Sequence, residues 1–191
     1  WINGHTYALF GPLSIGATTI LLEKPILLLN LKVLKKVLSL KTSIIYLPVT
    51  LIRIMKSFYK KLNINKKNIK TLGSMGEPLA PSVAKWFAEN FKNKNSCIIN
   101  TYFQTETGGI ICSPKFDQKI DECPHGSVGK PFKFIKFNKI ERIKKNEIKI
   151  IKPWPGCMKN VINGKKELKQ YWDKSGNFRL FDLATKINKN I

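Results

Sequence analysis

Residues 69–102 read IKTLGSMGEPLAPSVAKWFAENFKNKNSCIINTY. The segment opens on Ile69–Gly73, which reads as a strand, and breaks at the turn-rich Ser74–Pro81. Helical spacing of apolar residues predicts a helix over Ser82–Phe91, and Cys97–Tyr102 returns as a second strand. Strand, helix and strand in so short a span make a βαβ unit, whose strands pair in parallel because the crossover returns the chain to the same end of the sheet. Open sheets of this kind bind ligands beyond the carboxyl ends of their strands. That rule directs attention to the stretches after Gly73 and after Asn100.

The alternation extends upstream. Ile15–Leu22 reads as a buried strand, and Asn30 is placed to cap a helix over Leu31–Leu40 with apolar residues at 31, 33, 34, 37 and 38. Ser43–Leu47 is a further strand, ended by Pro48. Val49–Leu62 is an amphipathic helix whose lysines gather near its C-terminus, where they suit the helix dipole. After Pro114 the pattern changes: 126–131, 133–138, 147–152 and 178–181 read as short strands between turns and charged connectors, with no helical repeat. The expected fold is α/β, a mainly parallel sheet flanked by helices over residues 1–114. A smaller β-rich, barrel-like subdomain is expected over 115–191.

With 43% hydrophobic residues in 191, the chain has the composition of a globular protein able to bury a core. Its formal charge of +22 would suit a polyanionic partner, but arginine occurs only at Arg53, Arg142 and Arg179. Guanidinium is the group that grips phosphate and guanine bidentately. Lysine spread along the whole chain gives only non-specific attraction, so no specific nucleic-acid partner is expected. The cysteines (Cys97, Cys112, Cys123, Cys157) show neither a C-x-x-C pair nor metal-type spacing with His5 or His125. The most apolar stretch, Ile20–Leu31, contains Glu23, Lys24 and Pro25 and is too short for a bilayer. A soluble protein of the cytoplasm or another reducing compartment is expected, with no membrane partner. The chain starts at Trp1 inside an apparent motif, without Met, and reads as an internal piece of a longer protein.

Three stretches carry chemistry. Asn100–Gly109, NTYFQTETGG, sets Thr101, Thr105, Gln104 and Glu106 beside two glycines. Hydroxyl and backbone donors suit phosphate oxygens, a carboxylate suits a hard cation such as Mg²⁺, and Tyr102 and Phe103 can stack on a base or wall a pocket. The same residues serve equally as a polar turn capped by Thr105 or Thr107. In Gly73–Pro81, Gly76 permits close approach of a flat ligand and Pro78 stiffens the turn, although a plain loop into a helix would look alike. Trp1–Pro12 clusters aromatics around His5, which reads as a structural histidine as readily as a catalytic one.

Taken in order, WINGHTY (1–7), GPLSIGATT (11–19), GSMGEP (73–78), NTYFQTETGG (100–109), GSVGKP (126–131), KPWPG (152–156) and FRLFDLA (178–184) resemble the adenylate-forming acyl-CoA synthetases, in particular the AMP-forming acetyl-CoA type. That family carries W-x-T-G-H-S-Y, G-S-x-G-E-P, D-T-W-W-Q-T-E-T-G-G, W-P-G and a ribose-binding aspartate. The resemblance implies a ligase of one large AMP-binding domain that activates a short carboxylate, foremost acetate, with Mg-ATP and passes the acyl group to CoA. It implies that Gly76, Glu77 and Pro78 line adenine. Asn100, Thr101, Tyr102, Phe103, Gln104 and Thr105 would surround the nucleotide, with Thr105 and Glu106 as catalytic residues. Glu106 would hold Mg²⁺, Asp182 would take the ribose hydroxyls, and Trp1, Ile2, Asn3, Met75 and Phe103 would form the acyl pocket.

The chain departs from the family pattern at Asn3 for Thr, Met75 for Val, Asn100 for Asp, Phe103 for the second Trp, and Phe181 for the Gly before the aspartate. Pro25-Ile26 stands where a polar residue would meet the CoA arm. The family's phosphate loop would precede Trp1, and its C-terminal lysine domain would follow Ile191. Two other readings fit parts of the sequence. One is another adenylating enzyme, either a peptide-synthetase module or a longer-chain ligase. The other is a non-catalytic remnant with a basic surface.

Overall fold

The computed structural model describes residues 4–91, 98–116, 123–142 and 144–186. Two compact units divide the chain: one takes in 1–101 and 114–127, the other 102–113 and 128–191.

The first unit begins with a π-helical stretch, Gly4–Phe10, running into one turn of α-helix, α1 (Gly11–Ser14). The strand expected at Ile15–Leu22 is absent: these residues form no ladder. The amides of Ile15, Gly16 and Ala17 are drawn back onto the carbonyls of Pro12 and Leu13, ending α1, and Gly16 takes φ +71°. A backbone so committed cannot also pair with a strand. A 3₁₀ turn, Pro25–Leu29, then leads to α2 (Leu31–Ser39). Asn30 caps α2 as expected, its side-chain oxygen accepting from Lys32 N at 2.9 Å, and Leu34 and Leu38 face the core.

Three strands form a parallel sheet in the order β1 (Ile44–Pro48), β2 (Thr71–Met75), β3 (Ile99–Asn100). The crossovers are α3 (Val49–Phe58) and α4 (Pro81–Phe91). Val49, Ile52 and Met55 of α3, Leu72 of β2 and Phe87 and Phe91 of α4 are the buried centre. The α3 helix ends four residues before the predicted Leu62, for a tertiary reason. The Trp86 indole donates to the carbonyls of Tyr59 and Lys60, and Leu62 N donates to the Asn90 side chain at 2.6 Å. Those groups find partners outside the helix, so continuing it gains nothing.

The second unit pairs β4 (Cys112–Ser113) with β5 (Lys130–Pro131), and β6 (Asn146–Ile150) with β7 (Phe178–Ala184), both antiparallel. Ile111, Ile135, Ile148, Ile150, Cys157, Phe178 and Leu180 make its core. Among the described residues these pairs do not close into a barrel. A short helix, α5 (Lys165–Gln170), was not expected: its sequence KKELKQ buries none of its residues and so shows no apolar stripe. In β7, Leu180, Phe181 and Asp182 stand opposite Ile148 alone, between the pairs Lys149–Arg179 and Glu147–Leu183. This bulge bends the strand where the aspartate sits.

Gly73 lies opposite Tyr46 across β1 and β2, and a β-carbon there would run into the Tyr46 ring. Gly73→Ala should therefore destabilise the protein by about 1–3 kcal/mol through overpacking, read as a lower urea midpoint. An unchanged midpoint would mean that the ring moves aside at no cost.

Candidate functional site

The turn after β2 and the end of β3 hold the first group of candidate residues, all within the first unit. Gly76 has φ +89°, with open space where a side chain would lie. Beside it, Glu77 is gripped by α3: Thr50 Oγ1 donates at 2.5 Å and Arg53 Nη2 at 2.6 Å. Hydrogen bonding from Thr50, then the Arg53 guanidinium, holds the Glu77 carboxyl below its usual range. Thr50 and Arg53 are one helical turn apart on α3, so both reach one carboxylate. Sequence reasoning missed both, although Arg53 is one of only three arginines.

Asn100 and Thr101 are buried and committed to the fold. Ser74 Oγ donates to Asn100 Oδ1 at 3.1 Å, while Asn100 Nδ2 reaches the carbonyls of Gly126 and Ser127 at 3.4 and 3.5 Å. An ionised aspartate could not donate those last contacts, which gives a physical reason for Asn at this position. Thr101 Oγ1 donates to Ser74 O at 3.1 Å, so the 2.5 Å contact between Tyr46 OH and Thr101 Oγ1 has the phenol as donor. Burial raises the Tyr46 pKa and keeps it a phenol. Met75 is buried at the end of β2. Trp1, Ile2 and Asn3 lie outside the described residues, and His5 is exposed and stacked on Phe10.

The second group lies in the second unit. Gln104 opens a 3₁₀ turn, Thr105–Thr107, and Thr107 closes it: its hydroxyl accepts from Gln104 N at 3.0 Å and also contacts the Gln104 and Gly109 carbonyls. Thr107 is thus a cap, while Thr105 is exposed on the same turn. Gly108 follows in the left-handed region, and a β-carbon on it would overlap the Gly156 carbonyl. Trp154 Nε1 donates to Thr107 O at 2.9 Å. The W-P-G stretch is therefore the wall against which the T-E-T-G-G turn is built.

Glu106 projects from that turn. Its backbone carbonyl accepts from Met158 N at 2.7 Å, and its Oε1 accepts from Tyr171 OH at 3.2 Å. Asp182 Oδ2 accepts from both Tyr102 OH and Gln104 Nε2, each at 2.6 Å, and Gln104 Nε2 also reaches Leu180 O at 2.7 Å. Burial, then the neighbouring Asp182 charge, pushes the Tyr102 phenol far up, so it stays a donor. The structure thus brings Tyr102, Gln104 and Asp182 into one constellation, with Phe103 half-buried beside them in sequence. Tyr171 is a further residue the sequence did not announce.

Among the described residues no group of three His, Cys, Asp or Glu is arranged for a metal. A lone carboxylate such as Glu106 fits Mg²⁺ only as one ligand of an ion held mostly by phosphates and water, which is how Mg²⁺ usually binds. Cys112, Cys123 and Cys157 are buried, and burial pushes the Cys112 thiol up to about 12, which favours its protonated form. No helix among the described residues is long and apolar enough to cross a membrane.

A protein-family profile described as AMP-binding enzyme matches residues 1–156. Acetyl-coenzyme A synthetase of Vibrio parahaemolyticus is 31% identical over 181 residues, covering 89% of this chain and 28% of its own length. The Dictyostelium discoideum enzyme of the same name is 32% identical over 180 residues, covering 84% of this chain and 26% of its own. That of Helicobacter pylori is 38% identical over 117 residues, covering 60% and 18%. The chain thus spans between 18% and 28% of the length of these relatives. With the profile running through both the G-E-P turn and the Q-T-E-T-G-G turn, this chain belongs to the family of AMP-binding enzymes.

Proposed function

We propose that the protein carrying this chain is an AMP-forming acetate–CoA ligase. The carboxylate of acetate attacks the α-phosphorus of ATP and pyrophosphate leaves. The thiol sulfur of CoA then attacks the acyl carbonyl, AMP leaves, and the thiol proton passes to solvent. The observation that supports this reading best is the Asp182 carboxylate. Tyr102 and Gln104 hold one of its oxygens, so the other is available to accept from a vicinal diol such as ribose.

In the first unit, Gly76, Glu77 and Pro78 are read as the adenine-lining turn, with Asn100 and Thr101 setting the strand end beside it. In the second, Tyr102, Phe103, Gln104 and Thr105 take the sugar and α-phosphate, with Thr105 on the phosphate. Glu106 would hold Mg²⁺, which neutralises phosphate charge when bound. Met75 in the first unit and Phe103 in the second are each read, by the resemblance, as residues that meet the acyl group, a role the resemblance also gives to Trp1, Ile2 and Asn3. The work of these groups is placement and charge stabilisation, with no side-chain nucleophile. The antiparallel pairs of the second unit are read as part of a barrel-like subdomain, and segments 1–114 and 115–191 as parts of one AMP-binding domain. The buried thiols suit a reducing compartment such as the cytoplasm.

The full-length protein should exchange pyrophosphate into ATP only when a short carboxylate is present. Exchange without any acid, or none with acids of two to six carbons, would overturn the assignment. Glu106→Gln should raise the adenylation barrier by about 3 kcal/mol, the scale of losing one preorganised charge-stabilising group. Asp182→Ala should weaken ATP binding by about 1.5–3 kcal/mol, as expected for hydrogen bonds to a charged group. Wild-type kinetics in both variants would remove these residues from the site. Phe103→Gly tests the pocket by volume. Selectivity should invert towards four- to six-carbon acids, which gain about 0.8 kcal/mol per buried methylene. A uniform fall in kcat/KM together with a lower Tm would instead make Phe103 a packing residue.

A further inference from the structure

Tyr171 stands at the C-terminal end of α5, and its side chain has two neighbourhoods at once. Its hydroxyl donates to Glu106 Oε1 at 3.2 Å. Its ring stacks on Phe178, with centroids 5.6 Å apart and planes at 23°, and meets Phe181 edge-on at 5.2 Å and 81°. Phe181 is the residue before Asp182, and its φ of +60° lies in the left-handed region that a bulky side chain avoids. Two contacts brace it there. One is the Tyr171 ring; the other is the Arg179 guanidinium, 4.7 Å from the Phe181 ring centre and itself held by Glu147 at 2.8 and 3.1 Å. The Tyr171 carbonyl also accepts from Arg179 N at 2.7 Å, so the tyrosine is fixed at its backbone as well as its ring.

We infer that Tyr171 is a positioning residue that ties Glu106 to Asp182. Its phenol holds Glu106 Oε1, which would leave Oε2 to ligate a cation, while its ring holds the left-handed Phe181 that sets the Asp182 carboxylate in the β7 bulge. This inference rests on the nucleotide reading above and deepens it: one side chain coordinates the metal-side carboxylate with the sugar-side carboxylate.

The test uses the full-length protein with Tyr171→Phe, which removes only the hydroxyl, and Tyr171→Leu, which removes the ring as well. Mn²⁺ binding in the presence of ATP is followed by electron paramagnetic resonance, ATP and 2′-deoxy-ATP binding by calorimetry, and Tm by a thermal melt. Tyr171→Phe should weaken Mn²⁺ binding about three- to tenfold, the scale of one lost hydrogen bond, with Tm and the preference for ATP over 2′-deoxy-ATP unchanged. Tyr171→Leu should also erode that preference. A Tyr171→Phe protein with wild-type Mn²⁺ affinity would overturn the inference, and so would one whose only change is a lower Tm. If the leucine variant does not fold, the phenylalanine variant decides alone. A wild-type protein without carboxylate-dependent pyrophosphate exchange would overturn the parent reading. Wild-type exchange beside an unaltered Tyr171→Phe would overturn only the role of Tyr171.

Discussion

Gly108 and Gly156 approach so closely that a β-carbon on the first would overlap the carbonyl oxygen of the second, and much of the second unit follows from that approach. It is possible because Gly108 adopts a left-handed backbone at no steric cost, and because the Trp154 indole anchors Thr107 O beside it. With the turn pinned there, Gln104 on one flank reaches Asp182 and Glu106 on the other reaches Tyr171. Any side chain at position 108 would have to push the W-P-G stretch away, and both carboxylates would lose the frame that orients them.

The bulge in β7 illustrates how such a frame tolerates local strain. A phenylalanine in the left-handed region costs about 1–2 kcal/mol relative to an ordinary backbone. Phe181 sits there nonetheless, braced by Tyr171 and Arg179. Where the family pattern has glycine, which takes this conformation freely, the chain supplies aromatic and cation–π contacts instead. The same economy appears at Asn100, whose amide donates to two carbonyls that an aspartate could only repel. In each case a departure from the family pattern comes with contacts that suit the substituted residue.

Much of this was legible from the chain alone, and the failures have identifiable causes. The Asn30 cap, the Leu34 and Leu38 spacing of α2, and the strand–helix–strand alternation around β2 rest on local chemistry, which a one-dimensional reading captures. The run at 15–22 has the composition of a strand, but its first amides close α1. The end of α3 was missed because Trp86 and Asn90, more than twenty residues away, take the backbone groups that would have continued the helix. Among the candidate site residues, Gln104, Glu106 and Asp182 were singled out by motif. Thr50, Arg53, Tyr46 and Tyr171 were not, because nothing in their immediate sequence marks them.

By itself, then, the sequence determined the α/β class of the first unit, the parallel pairing, the turns after β2 and β3, and the family. All of these depend on residue spacing or on short contiguous motifs. Only the tertiary structure decided which polar groups meet. Tyr46 joins Thr101, Arg53 joins Glu77, Gln104 and Tyr102 share one oxygen of Asp182, and Tyr171 joins Glu106. Each pair is separated by twenty residues or more, and side-chain hydrogen bonds act over about 3 Å. Such contacts exist only once the chain has closed on itself, so no local pattern records them.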